Sequence, residues 1–162
     1  MPDPEPDFEA ILRALAEAGV DFIVVGGVCG VLHGAPISTF DLDLVYSREG
    51  GNLARLETVL RDQGAFYREK REVCPSASLL DGPGHHLLMT RFGPLDLLGS
   101  TVGGQGYRDL LEHAEPVELG RGTRVRILDL PTLIRMKEQL GRDRDKAVLP
   151  ILRRALEERR GV

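Results

Sequence analysis

Two cysteines are all that this chain of 162 residues contains, too few for the disulfide framework that holds small secreted domains together. Cys29, inside Val24-Val25-Gly26-Gly27-Val28-Cys29-Gly30-Val31, reads as a small core residue. No stretch approaches the ~20 uninterrupted apolar residues of a membrane span, so no membrane partner is expected. An excess of positive charge is also missing. The 21 Lys and Arg against 25 Asp and Glu leave a net charge of −4, and nothing global announces nucleic acid or an acidic membrane. The basic residues gather instead between Arg135 and Arg160. The chain lacks internal repeats and low-complexity segments. Its start, Met1-Pro2-Asp3-Pro4-Glu5-Pro6-Asp7, is acidic and proline-rich, the opposite of a signal peptide's basic start and apolar run. A cytoplasmic location is expected, with residues 1–6 as a flexible arm.

What is present suits one soluble domain. Hydrophobic residues at 42% and charged residues at 28% are ordinary for a globular chain long enough to bury a core. Phe8, Ile11, Leu12 and Leu15 recur at helical spacing within residues 7–18. Gly19 stops that helix, and residues 21–25 form a short buried strand. Gly26-Gly27 then turns the chain into a brief apolar helix reaching about His33. A second strand is predicted over Phe40 to Tyr46. Asn52 reads as the N-cap of a helix with Leu53, Leu56, Val59 and Leu60 inward, closed by Gly64.

The stretch 65–84 suggests loops with room for one strand. His85 to Arg91 and Leu95 to Leu98 read as two strands joined by Phe92-Gly93-Pro94. A glycine-rich loop, Gly99 to Gly106, precedes a short helix at residues 107–113. Pro116 to Leu119 and Thr123 to Ile127 pair around Gly120-Arg121-Gly122. Asp129 caps a helix with Pro131 in its first turn, Gly141 interrupts, and Asp143 to Arg159 forms a last amphipathic helix. Residues 1–162 are thus expected to form a single α+β domain, with a mixed sheet of about 4–6 strands flanked by helices.

Within this frame three carboxylates stand out. Successive strand side chains point to opposite faces, so Asp41 and Asp43 share one face while Leu42 and Leu44 share the other. Neighbouring carboxylates ionise together only beside a cation. Asp96, in Leu95-Asp96-Leu97-Leu98 on a neighbouring strand, would complete an oxygen-ligand site suited to Mg²⁺ or Mn²⁺. Gly26-Gly27, directly after a strand and before a helix, lets backbone N–H groups approach a phosphate. His33 either serves such a nucleotide site or bonds a backbone carbonyl. Lys137 and Arg142 either form a solvated helical face or reach toward a triphosphate. His85 and His86 face opposite ways along one strand, cannot chelate one metal together, and stay unassigned.

These residues resemble the nucleotidyltransferase superfamily of the polymerase-β type in its minimal form. Those domains carry a Gly-Gly turn, a spaced Asp-hydrophobic-Asp and a third carboxylate on a later strand, matched here by Gly26-Gly27, Asp41-Leu42-Asp43 and Asp96. The wording from Val25 through His33-Gly34 to Thr39-Phe40-Asp41, and the ending Leu133 to Lys146, resemble the AbiEii-toxin-like branch. The resemblance spans roughly residues 10–155. It implies a nucleotidyltransferase fold whose C-terminal helical part, 129–160, packs near the active-site cleft. It further implies two Mg²⁺ or Mn²⁺ ions held by Asp41, Asp43 and Asp96. An NTP substrate would be bound with Gly26, Gly27, His33, Thr39, Lys137 and Arg142. The group transferred is a nucleoside monophosphate, passed to a protein, tRNA or small-molecule hydroxyl. An antitoxin is an implied partner. Ile37 departs from the pattern, standing where relatives often carry Arg. The alternative is a nucleotide-binding or interaction module that kept the fold but does little chemistry.

Overall fold

The computed structural model describes residues 5–161. Most of the expected N-terminal arm, residues 1–4, lies outside the described residues. The chain is already anchored at Asp7, whose N–H donates to the Phe92 carbonyl at 2.8 Å. Pro6 lies against Gly93, where a Cβ would come within 2.9 Å of it.

Helix α1 (Phe8–Glu17) buries Ile11, Leu12 and Leu15, and Asp7 caps it by accepting the Ala10 N–H. Strand β1 (Phe22–Val25) is buried throughout, and α2 (Gly26–Leu32) follows without a linker. After β2 (Leu42–Tyr46) come α3 (Asn52–Asp62), β3 (Phe66–Tyr67) and α4 (Ala77–Leu80). The hairpin β4 (His85–Thr90) and β5 (Gly93–Leu98) leads through a loop to α5 (Tyr107–Leu111). Strands β6 (Ala114–Glu118) and β7 (Arg124–Leu128) precede α6 (Leu130–Leu140) and α7 (Asp143–Arg159). No helix of the described residues is long and apolar enough to cross a membrane.

The α+β class holds, with a mixed sheet of seven strands in the order β3-β4-β5-β2-β1-β7-β6. The count exceeds the expected range because of β3, two residues long and without readable periodicity. Three local expectations shift. Strand β2 starts at Leu42, not Phe40; Phe40 is 83% exposed and Asp41 sits in the bend before the strand. The β4–β5 turn is tighter than expected, so that Gly93 and Pro94 pair with Thr90 and Met89. Asn52 is the first residue of α3 and not its cap. Its buried amide accepts the Asp21 N–H at 2.7 Å and donates to the carbonyls of Asp21 and Ser47, stitching the entry of β1 to the exit of β2. Asp129 does cap α6, and Gly141 ends it with φ of +61°.

Topology brings three chain segments to one end of the sheet. Strand β2 runs antiparallel to β1 and parallel to β5. The exit of β1 therefore lies beside the entries of β2 and β5. Leu42, Leu44, Leu95 and Leu97 turn into the core from these strands, each at most 1% exposed. Alternation leaves their acidic neighbours on the other face.

Candidate metal and nucleotide site

The register places Asp43 opposite both Val25 of β1 and Asp96 of β5. Asp41 joins them from the bend, which is closed by the Thr39 hydroxyl donating to the Asp41 carbonyl at 3.0 Å. Carboxylate oxygens of Asp41, Asp43 and Asp96 lie within 4.8 Å of one another. Gly26 and Gly27 are confined by their neighbours. A Cβ on Gly26 would overlap Oδ2 of Asp43 and lie 3.0 Å from its Cγ, and one on Gly27 would lie 2.8 Å from Oγ1 of Thr39. Any other residue at either position would push the acidic bend away.

The electrostatics follow from crowding. Burial, then the charges of Asp41 and Asp96, push the Asp43 carboxyl up to about 8. Asp41 is raised for the same reasons, burial first and Asp96 second. Arg68 approaches from beyond β3, its Nη2 2.8 Å from Oδ1 of Asp96. No N–H is aligned with that oxygen, which is buried and has no hydrogen bond. The contact is an ion pair by distance alone. Three hard oxygen donors, crowded, partly buried and with one oxygen orphaned, match the coordination preferences of Mg²⁺ and Mn²⁺.

The other expected residues divide. Lys137 and Arg142 converge on Asp145, a fully buried residue of the ending Leu133 to Lys146 to which the sequence assigned no role. Lys137 Nζ lies 3.1 Å from Oδ1, and Arg142 donates through Nε to Oδ2 at 2.6 Å. Burial pushes the Asp145 carboxyl up, but the hydrogen bonds from Arg142 and Lys137 outweigh it and hold it at about 2. The Lys137 charge also lowers Asp43 slightly against its larger rise, and Arg142 is raised first by its bond to Asp145 and least by the charges of Asp43 and Asp41.

His33 is not brought to them. It ends α2 at the opposite end from Gly26, with Nε2 2.7 Å from the Leu128 carbonyl and Nδ1 2.8 Å from Arg159. Ile37 turns its side chain onto Gly30. His86 bonds the Tyr67 hydroxyl at 2.9 Å, while His85 lies exposed beside Ser100. Arg68 was missed because it follows a two-residue strand. Asp145 was missed because it looks like one more charge in a charged helix start.

No family model and no curated protein matches the sequence. A solved structure from Thermotoga maritima, described as a "putative nucleotidyltransferase", matches with a TM-score of 0.55 at 18% identity. The match covers 93% of this chain and 91% of that one. The fold is nucleotidyltransferase-like.

Proposed function

We propose that this chain is a Mg²⁺- or Mn²⁺-dependent nucleotidyltransferase that moves a nucleoside monophosphate from an NTP to a hydroxyl acceptor. The observation that carries the reading is the meeting of Asp41, Asp43 and Asp96, oxygens within 4.8 Å, beside the Gly26-Gly27 turn. Asp41 and Asp43 would hold the ion on the nucleotide side, and Asp96 with them the ion on the acceptor side. Such ions offset phosphate charge and ease deprotonation of the acceptor hydroxyl. Backbone N–H groups at Gly26 and Gly27 would bind the phosphates. Lys137 and Arg142, steadied by Asp145, supply positive charge along the cleft wall. The acceptor oxygen bonds to the α-phosphorus as the bond to pyrophosphate breaks, and the released proton passes to a carboxylate oxygen of Asp96.

The acceptor is a protein, a tRNA end or a small molecule. The motif likeness to the AbiEii branch favours a toxin restrained by an antitoxin; expression without that partner would then slow growth. The test is transfer of label from each α-labelled NTP, with Mg²⁺ or Mn²⁺ and cell lysate, beside an Asp41→Ala/Asp43→Ala control. Transfer that vanishes in the control supports the enzyme. The second reading, a binding module with little chemistry, draws on Ile37, whose aliphatic side chain packs on Gly30 and brings no charge to the pocket. Metal-dependent NTP binding without transfer would favour it.

A further inference from the structure

Arg68 has no place in the reaction as outlined, yet it is built into the site from two sides. Its N–H donates to the Leu87 carbonyl at 3.0 Å, extending the β3–β4 pairing one residue beyond β3. Leu87 is in turn the register partner of Asp96. Arg68, Leu87, Asp96 and Asp43 therefore stand in one row across four adjacent strand positions. The guanidinium is divided between two tasks. Nη1 donates to the Leu88 carbonyl at 2.7 Å, a fixed backbone anchor. Nη2 rests 2.8 Å from Asp96 Oδ1 without an aligned N–H, so that buried oxygen has a counter-charge but no hydrogen bond. A tethered cation thus sits at the third carboxylate, near enough that its charge also acts on Asp41.

We propose that Arg68 is a positioning residue that acts as the resident counter-cation of Asp96 and competes with a divalent ion for its Oδ1. The inference rests on the metal-dependent reading above. A divalent ion binds a carboxylate oxygen at about 2.1 Å, so ion and guanidinium at the same oxygen are like charges in near contact, weakly screened by a half-buried setting. Among the described residues no cation stands at ion-pair distance from Asp41 or Asp43; Arg68 reaches Asp41 only through space. The ions therefore load in order: the nucleotide-side position at Asp41 and Asp43 first, and the Asp96 position only when Arg68 yields Nη2 while keeping its Leu88 anchor. Asp96 is spared from standing bare beside two other carboxylates before the second ion arrives.

Binding of Mn²⁺ to the full chain, followed by the electron paramagnetic resonance of the free ion, tests this in the presence of an ATP analogue blocked at the α–β bridge. Arg68→Gln shortens the side chain and loses the charge; Arg68→Lys keeps the charge. The wild type and Arg68→Lys should bind a tight first ion and a weaker second, and Arg68→Gln should tighten the second by about tenfold with the first unchanged. A second ion that is unchanged or weaker in Arg68→Gln, or a first ion that tightens equally, overturns the proposal. Because Arg68→Gln also loses the Leu88 anchor, the wild type supplies an independent readout. Its Arg68 Nε–H nuclear magnetic resonance signal should shift with the second equivalent of Mg²⁺ and not with the first, and a signal that never moves overturns the proposal without any variant. If the wild type binds Mn²⁺ no better than Asp41→Ala/Asp43→Ala, the metal-dependent reading itself fails and takes this inference with it.

Discussion

The space that a Cβ on Gly26 would fill is already taken by the carboxylate of Asp43. Gly26 also has φ of +69°, so two costs coincide there, and Gly34 separates them. Its φ is +91° and nothing lies within 4 Å of its Cβ position. Gly26→Ala and Gly34→Ala should each cost about 1–2 kcal/mol for the left-handed backbone, visible as a lowered Tm. Only Gly26→Ala should also weaken Mn²⁺ binding, because only it displaces Asp43. Equal Mn²⁺ affinity in the two variants would refute the steric link.

Asp145 is the keystone of the α6–α7 corner. Asp145→Ala leaves Lys137, only 14% exposed, without its carboxylate, whereas Arg142, 44% exposed, can turn to water. Breaking a buried pair from one side costs about 3–5 kcal/mol, and the freedom of Arg142 favours the lower end. Urea denaturation gives the value. A loss below about 1 kcal/mol, the range of exposed pairs, would mean that the corner holds without it.

Stability should depend on pH through two aspartates with opposite signs. The Asp145 carboxyl lies at about 2, below its ordinary 3.8; its contribution is present above 3.8 and disappears as pH falls toward 2. The Asp43 carboxyl lies at about 8, above its ordinary 3.8. The folded state keeps that proton longer than the unfolded one, so stability is highest below 3.8 and declines as pH rises toward 8. Metal-free protein should therefore lose stability across this upper window, Asp43→Asn should flatten the decline, and added Mn²⁺ should reverse it. A thermal-melt series from pH 5 to 9 in the presence of a chelator checks the sign; a rising Tm in the Asp43 window that is absent from Asp43→Asn contradicts it.

The two thiols should behave unequally. Cys29 is fully buried, its Sγ donating to the Leu128 carbonyl at 3.2 Å, and burial pushes its pKa up. Cys74 is exposed. A thiol reagent should modify one equivalent in the native protein and the second only after unfolding. Rapid reaction of both in native buffer would disprove the burial of Cys29.

Much of the site was legible because it depends on local geometry. Strand alternation put Asp43 on the face opposite Leu42 and Leu44, although Asp41 reaches that face from the bend before the strand, and apolar neighbours marked Asp96 as a strand residue. Helix boundaries at Asp129, Gly141 and Asp143 followed from capping and conformational rules that act within one turn. What short-range rules left open is which partner a polar side chain meets, whether far along the chain or around a corner. His33 meets a carbonyl 95 residues away, and Arg68 meets Asp96 across β4. Lys137 turns from the solvent or triphosphate expected of it to Asp145 around a helix corner.

The sequence by itself determined which strand side chains share a face and where the glycines release the backbone. Those are consequences of covalent geometry over a few residues. The tertiary structure decided which charges meet. Placing β5 beside β2 and β4 beyond it joined Asp96 to Asp43 and set Arg68 against Asp96. No short-range rule specifies such strand order, because it is set by how all the apolar faces of the chain are buried together.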